Sequence, residues 1–194
     1  APAWSDEGRV KYKFGVVPQI EPRKLASIWR PILDAIEERT GYEFVMTGSP
    51  QIPDFEVMFI NGEFDFAYMN PYHSIIAAKR QGYAPLIRDH GRKLFGVLTV
   101  GKDSDIVDLG QLEGKTIAFP APNALGASLL MRTELSRLHG IEFKSKYVKT
   151  HSSVYLHVAL NQVDAGGGVM GTLNRQKPRL KESLRVLYKT RSMS

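Results

Sequence analysis

Thr40-Gly41-Tyr42-Glu43-Phe44 is answered 99 residues later by His139-Gly140-Ile141-Glu142-Phe143. Asn61-Gly62-Glu63-Phe64-Asp65-Phe66-Ala67 reads in the same way against Asn161-Gln162-Val163-Asp164-Ala165. Upstream, Tyr12-Lys13-Phe14-Gly15-Val16-Val17-Pro18 reads against Lys115-Thr116-Ile117-Ala118-Phe119-Pro120. Self-similarity at a fixed period means that one structural unit is built twice. Each half has the same order: short apolar strand, Pro-containing loop, helix, Gly stop, strand, helix, turn, strand.

Hydrophobic spacing fills in that order. Leu25, Ile28, Trp29, Ile32, Leu33 and Ile36 follow a 3.6-residue period and predict a helix over 22–39. Pro31 is expected to kink it and Gly41 to end it. In the second half, Leu129, Leu130, Leu135 and Leu138 mark a helix that starts at Asn123 or Ala124 and ends at Gly140. Val154, Leu156, Val158, Ala159 and Leu160 mark another, behind the N-capping hydroxyls of Thr150-His151-Ser152-Ser153. Alternating strands and helices place the chain in the α/β class, with mostly parallel sheets. Leu94-Phe95-Gly96-Val97-Leu98-Thr99-Val100 is an apolar run, within which Phe95 to Val100 reads as a crossover strand between the units. The expected organisation is a first lobe over 1–97, a second over 98–188, and the start of a return segment over 189–194. Two such lobes make a clamp, because open α/β sheets bind ligands beyond the carboxyl ends of their strands.

Composition narrows the chemistry. The chain has 194 residues and no Cys, which excludes disulfides, thiolate metal sites and a Cys nucleophile. No apolar run approaches the ~18 residues that span a bilayer. Ala1-Pro2-Ala3-Trp4-Ser5-Asp6-Glu7 lacks the basic start and apolar core of a signal peptide and reads as a start already past cleavage. The net charge of +6 lies entirely in the second half, where 98–194 hold 14 basic and 8 acidic residues. Such a field attracts small anions. Nucleic acid is not expected, since the basic stretch Arg175–Arg191 carries Tyr188 as its one aromatic. Walker, Gly-x-Gly-x-x-Gly, Gly-x-Ser-x-Gly and His-based zinc patterns are all missing, so neither catalysis nor a cofactor is expected.

Ligand-binding residues are sought at the strand ends. Tyr68, Asn70 and Tyr72 offer a phenol, an amide and a ring after one strand, and Gln19 lies in the loop after another. Asn123 and Ala124 open a helix whose free N–H groups can hold an anion. Thr150, His151 and Ser152 open the next, supplying hydroxyls and an imidazole. Asp164 could bind a cationic group, and the three glycines behind it allow close backbone approach. His151 and Tyr68 are expected to face each other across the cleft.

Taken together, the Phe14–Pro18, Gly62–Tyr68, Asp108–Lys115, Thr150–Ser152 and Val163–Gly166 segments give the chain a family likeness. It resembles the phosphate/phosphite/phosphonate-binding proteins of ABC importers, a branch of the periplasmic solute-binding proteins, from about Tyr12 to Thr190. The resemblance implies a type II two-lobe clamp that captures a small anionic or zwitterionic ligand without catalysis. It implies a periplasmic or extracytoplasmic location and delivery to an ABC transporter permease, with only peripheral contact to the membrane complex. It also implies a ligand-contacting His at 151 and a ligand-facing crossover strand at Phe95. Two positions depart from the family pattern: Asn123-Ala124-Leu125-Gly126 lacks the usual hydroxyls, and Phe95 stands where Tyr is common. An alternative reading is the sensing domain of a receptor kinase or other signalling protein.

Overall fold

Glycine stops and apolar strands sort the chain into two sheets. The computed structural model describes residues 9–91 and 93–193; the N-terminal stretch Ala1–Glu7 lies outside them. The first sheet holds β1 (Lys11–Val16), β2 (Glu43–Thr47) and β3 (Phe66–Tyr68), all parallel, in the order β2-β1-β3. Helices α1 (Pro22–Thr40), α2 (Ile52–Ile60) and α3 (Pro71–Gln81) connect these strands and lead out of them. α1 begins with Pro22 in its first turn and runs through Pro31 as a single element. It stops where Gly41, at φ 75°, returns its N–H to the Glu37 carbonyl. A left-handed residue at that point favours glycine.

The second sheet has five strands in the order β6-β5-β7-β4-β8. They are β4 (Gly96–Gly101), β5 (Thr116–Phe119), β6 (Lys144–Tyr147), β7 (Ala165–Val169) and β8 (Leu184–Lys189). The helical run α4 covers 125–138, α5 is His151–Ala159, α6 is Met170–Asn174 and α7 is Pro178–Glu182. The order β6-β5-β7 repeats β2-β1-β3, so the duplication read from sequence is one winding pattern used twice. The second sheet is mixed, with β4 the one strand that runs against the other four. β4 enters at the carboxyl edge, with Gly96 opposite Val169, and therefore runs antiparallel to β7 and to β8.

Two aspartates pin the repeat at the opposite edge. The Asp65 carboxylate accepts from the Lys13 N–H at 2.7 Å, and the Asp65 N–H donates back to the Lys13 carbonyl at 3.0 Å. Asp164 does the same with Thr116, at 2.8 and 2.9 Å. Each carboxylate thus ties the start of its strand to the central strand of its unit.

Packing explains the glycine run in β7. A Cβ on Gly166 would overlap Val154 and Val158, and one on Gly168 would overlap the Tyr155 hydroxyl. On the other face, a Cβ on Gly167 would strike the Ala127 carbonyl and Phe119. The close approach is that of α5 and α4 to the strand. One buried cluster joins Leu98, Val100, Ile117, Phe119, Met131 and Leu135. Another crosses between the two sheets: Val17, Ile52, Phe55, Phe59 and Phe64 meet Ala121, Ala124 and Ala127.

Candidate functional site

Strand direction brings the carboxyl-end loops of the two sheets together. β1 runs out into Val17-Pro18-Gln19, β3 into Met69-Asn70, β5 into Pro120–Asn123 and β6 into Val148–Thr150, while β4 begins beside Phe95. Two hydrogen bonds tie loops of the second sheet to the first half, in addition to the one from Lys24 of α1 to the Arg175 carbonyl after α6. The His151 peptide N–H donates to the Gln19 carbonyl at 3.1 Å. The Asn123 side-chain amide donates to Glu56 Oε2 at 3.1 Å.

Asn123 and Ala124 stand at the start of α4, where the first turn is widened. The Ala124 carbonyl accepts from both the Ser128 N–H at 2.7 Å and the Leu129 N–H at 3.1 Å. Turns with i→i+5 bonds recur at functional sites. Arg132, one turn on, fixes this opening by donating to Ser128 Oγ at 3.0 Å and to the Pro122 carbonyl at 2.8 Å. Ala124 itself packs into the apolar cluster between the sheets. Phe95 is half-buried, with its backbone close against Gly126.

The second opening is that of α5. Thr150 caps the helix, its Oγ1 accepting from the Ser153 N–H at 3.1 Å. Ser152 is buried and its Oγ accepts from Gln176 at 3.3 Å. His151 is 2% exposed. Its Nδ1 lies 3.1 Å from Thr172 Oγ1, which is 2.8 Å from the Tyr155 hydroxyl. Both hydroxyls also reach the Val169 carbonyl, at 2.9 and 3.0 Å. Burial lowers the His151 pKa to about 4, so the ring is neutral at pH 7. Its Nε2 makes no hydrogen bond among the described residues.

First-sheet residues are placed less uniformly. Asn70 caps α3, its Oδ1 accepting from the His73 N–H at 2.9 Å. Tyr72 lies against the buried His73 ring. Tyr68 is 50% exposed and its ring rests on Trp29, with centroids 4.8 Å apart. The rings of Tyr68 and His151 therefore have different surroundings, and it is the His151 backbone that meets the first-sheet side. Asp164 is not with the others. It sits at the start of β7, the far edge of the sheet, with its carboxylate spent on the Thr116 N–H.

Sequence reading missed three participants. Thr172 and Tyr155 orient the His151 ring and carry no motif. Glu56 had a signal: it is the one polar residue of Phe55-Glu56-Val57-Met58-Phe59-Ile60. Its Oε1 accepts from His73 Nε2 at 3.0 Å while Oε2 faces Asn123.

This arrangement can be set against known proteins. The family model described as ABC transporter, phosphonate, periplasmic substrate-binding protein matches residues 14–194. The chain belongs to that family. A member of this phosphonate family is a periplasmic substrate-binding component, which binds its ligand without transforming it. Solved structures share the fold. The binding-protein component of an ABC phosphonate transporter from Pseudomonas aeruginosa is 19% identical, with a TM-score of 0.81 over 96% of this chain and 67% of that one. PhnD1 from Prochlorococcus marinus, solved with methylphosphonate, is 16% identical, with a TM-score of 0.82 over 94% of this chain and 73% of that one. The periplasmic domain of BvgS from Bordetella pertussis is 23% identical, with a TM-score of 0.61 over 91% of this chain and 34% of that one. The sensor reading thus has the weaker structural likeness. Among the described residues, no helix is long and apolar enough to cross a membrane.

Proposed function

We propose that the chain captures a small oxyanion or phosphonate-like ligand between two lobes and presents it to an ABC transporter permease. The lobes are the two sheets with their helices, divided near residue 97 at the start of β4. The observation that carries this reading is the shared edge. The N-termini of α4 and α5, with the Asn123 amide and the His151 N–H, open there toward the carboxyl-end loops of the first sheet. Helix N-termini favour anions, and the surplus of basic residues in the second half adds to the attraction.

The proposed ligand contacts come from Gln19, Asn70, Tyr72 and Phe95 on one side and Asn123, Ala124, Thr150, His151 and Ser152 on the other, with Tyr68 at the mouth. At the hydroxyl-poor opening of α4 the donors are the backbone N–H groups and the Asn123 amide. Closure follows from differential affinity: a ligand that touches both lobes stabilises the state in which they meet.

Thermal melting of the chain with methylphosphonate, phosphite, phosphate and a neutral sugar tests this. A ligand at a hundredfold excess over its Kd stabilises by about 2.7 kcal/mol, roughly 5–10 °C for a chain of this size. The expected result is a rise with at least one oxyanion and none with the sugar. No response to any oxyanion overturns the reading.

A further inference from the structure

Two donors proposed for the ligand are already taken by acceptors from the opposite lobe. The Asn123 amide is held by the Glu56 carboxylate at 3.1 Å, and the His151 N–H by the Gln19 carbonyl at 3.1 Å. Gln19 offers a neutral carbonyl, but Glu56 offers a carboxylate, the same kind of group as the ligand's own head.

The placement of Glu56 is built. Its second oxygen accepts from His73 Nε2 at 3.0 Å, and His73 is fully buried among Phe55, Phe59 and Tyr72. Asn70 holds the His73 backbone in turn. The Glu56 side chain is 17% exposed. A carboxylate in a largely apolar helix face is costly unless its oxygens are met by donors. Here one donor comes from its own lobe and one from the other. The neighbouring seam is apolar, with Phe55 and Phe64 in the same cluster as Ala121, Ala124 and Ala127. Within the contact between α2 and the β5–α4 loop, Glu56 to Asn123 is the polar link.

We propose that Glu56 is a built-in stand-in for the anionic ligand: with no ligand bound, it occupies the Asn123 donor at the mouth of α4 and links the lobes. This rests on the ligand-capture reading above. Binding is then an exchange, in which a ligand oxygen takes the Asn123 amide and Glu56 falls back on His73. The exchange lowers affinity for every anion, because part of the binding energy goes to breaking the Glu56–Asn123 contact and to holding a second negative group nearby. It also discriminates against ligands that bring no acceptor oxygen to Asn123, which have nothing to replace the carboxylate there.

Calorimetric titration with methylphosphonate of the 194-residue chain and its Glu56→Gln variant tests this. Gln keeps an oxygen for His73 and removes the charge. The expected result is about tenfold tighter binding by Glu56→Gln, equivalent to ~1.4 kcal/mol, with a lower melting temperature before ligand is added. Wild type binding as well as the variant, or better, overturns the stand-in role and leaves the capture reading intact. Binding by neither protein overturns both. Should Glu56→Gln lose its cooperative melting transition, Glu56→Asp decides. It keeps the charge but falls one carbon short of Asn123, so tighter binding supports the proposal and unchanged binding overturns it.

Discussion

His151 sits where two demands meet. Its N–H serves the contact between the sheets, while its ring is turned inward to Thr172 and Tyr155. The inward ring has a thermodynamic signature. In the unfolded chain the imidazole titrates near 6.5; in the folded chain burial lowers this to about 4. Between these values the unfolded state binds more protons, so stability falls as pH drops through that window and is level above it. The loss by pH 5 is about 2 kcal/mol for a fully buried ring. Urea unfolding at pH 7.5 and pH 5 should show this loss in wild type and a correspondingly smaller one in His151→Asn. Equal losses in both proteins would place the acid sensitivity on another group. The ring's depth was not legible in Thr150-His151-Ser152, because a residue opening a helix can point to solvent or core. Its partner Thr172 lies 21 residues away on α6.

At the level of elements, the repeat was legible because its anchors are backbone devices. Gly41 and Gly140 both take positive φ at helix ends, and Asp65 and Asp164 both pin a strand to its neighbour. Side chains that satisfy the backbone leave a pattern in sequence, since few residue types can do it. Asp164 carries that role at the edge away from the proposed ligand. Its loss should therefore act on stability: Asp164→Ala, at a half-buried hydrogen bond, is expected to cost about 0.5–1.5 kcal/mol, the net worth of an ordinary hydrogen bond, and Asp65→Ala, at an exposed one, no more than that. Titration of Asp164→Ala with methylphosphonate should give an affinity within about twofold of wild type, the error expected of distant sites. A large drop in affinity with unchanged stability would return Asp164 to the ligand. The direction of β4 was less legible. An apolar strand reads the same in either sense, and only its entry at Gly96 opposite Val169 sets it antiparallel.

Over the whole molecule, β4 is the strand most enclosed by other structure. It is paired on both edges, and Gly96 through Val100 are all buried. The far end of the chain is drawn to it. The Gly96 N–H donates to Thr190 Oγ1 at 2.8 Å, and the Thr190 N–H donates to the Gly96 carbonyl at 3.0 Å. Glu134 secures the same region, accepting from the Tyr188 hydroxyl at 2.7 Å and from the Arg191 Nε at 3.1 Å. Burial pushes the Glu134 pKa up, but these hydrogen bonds outweigh it and hold the carboxyl below its ordinary value. Amides of β4 should thus exchange with solvent only through global opening, and those of edge strands β2 and β6 much sooner. Hydrogen exchange resolved to single strands checks this; faster exchange in β4 than in β6 would contradict it. None of these long-range ties could be read from sequence, since Glu134 and Thr190 are polar residues with no local pattern.

The glycines of β7 have a cost that falls outside the folded state. Three consecutive residues without side chains give the unfolded chain its widest conformational freedom at the very strand that must lie between β5 and β4. That freedom is surrendered only once something holds the strand from both faces, which here means Val154 and Tyr155 on one side and Phe119 with α4 on the other. Assembly of the second sheet is therefore expected to run from helices to strand. β7 docks late, into a slot its neighbours have already shaped, and the centre of the sheet is among the last parts to become ordered.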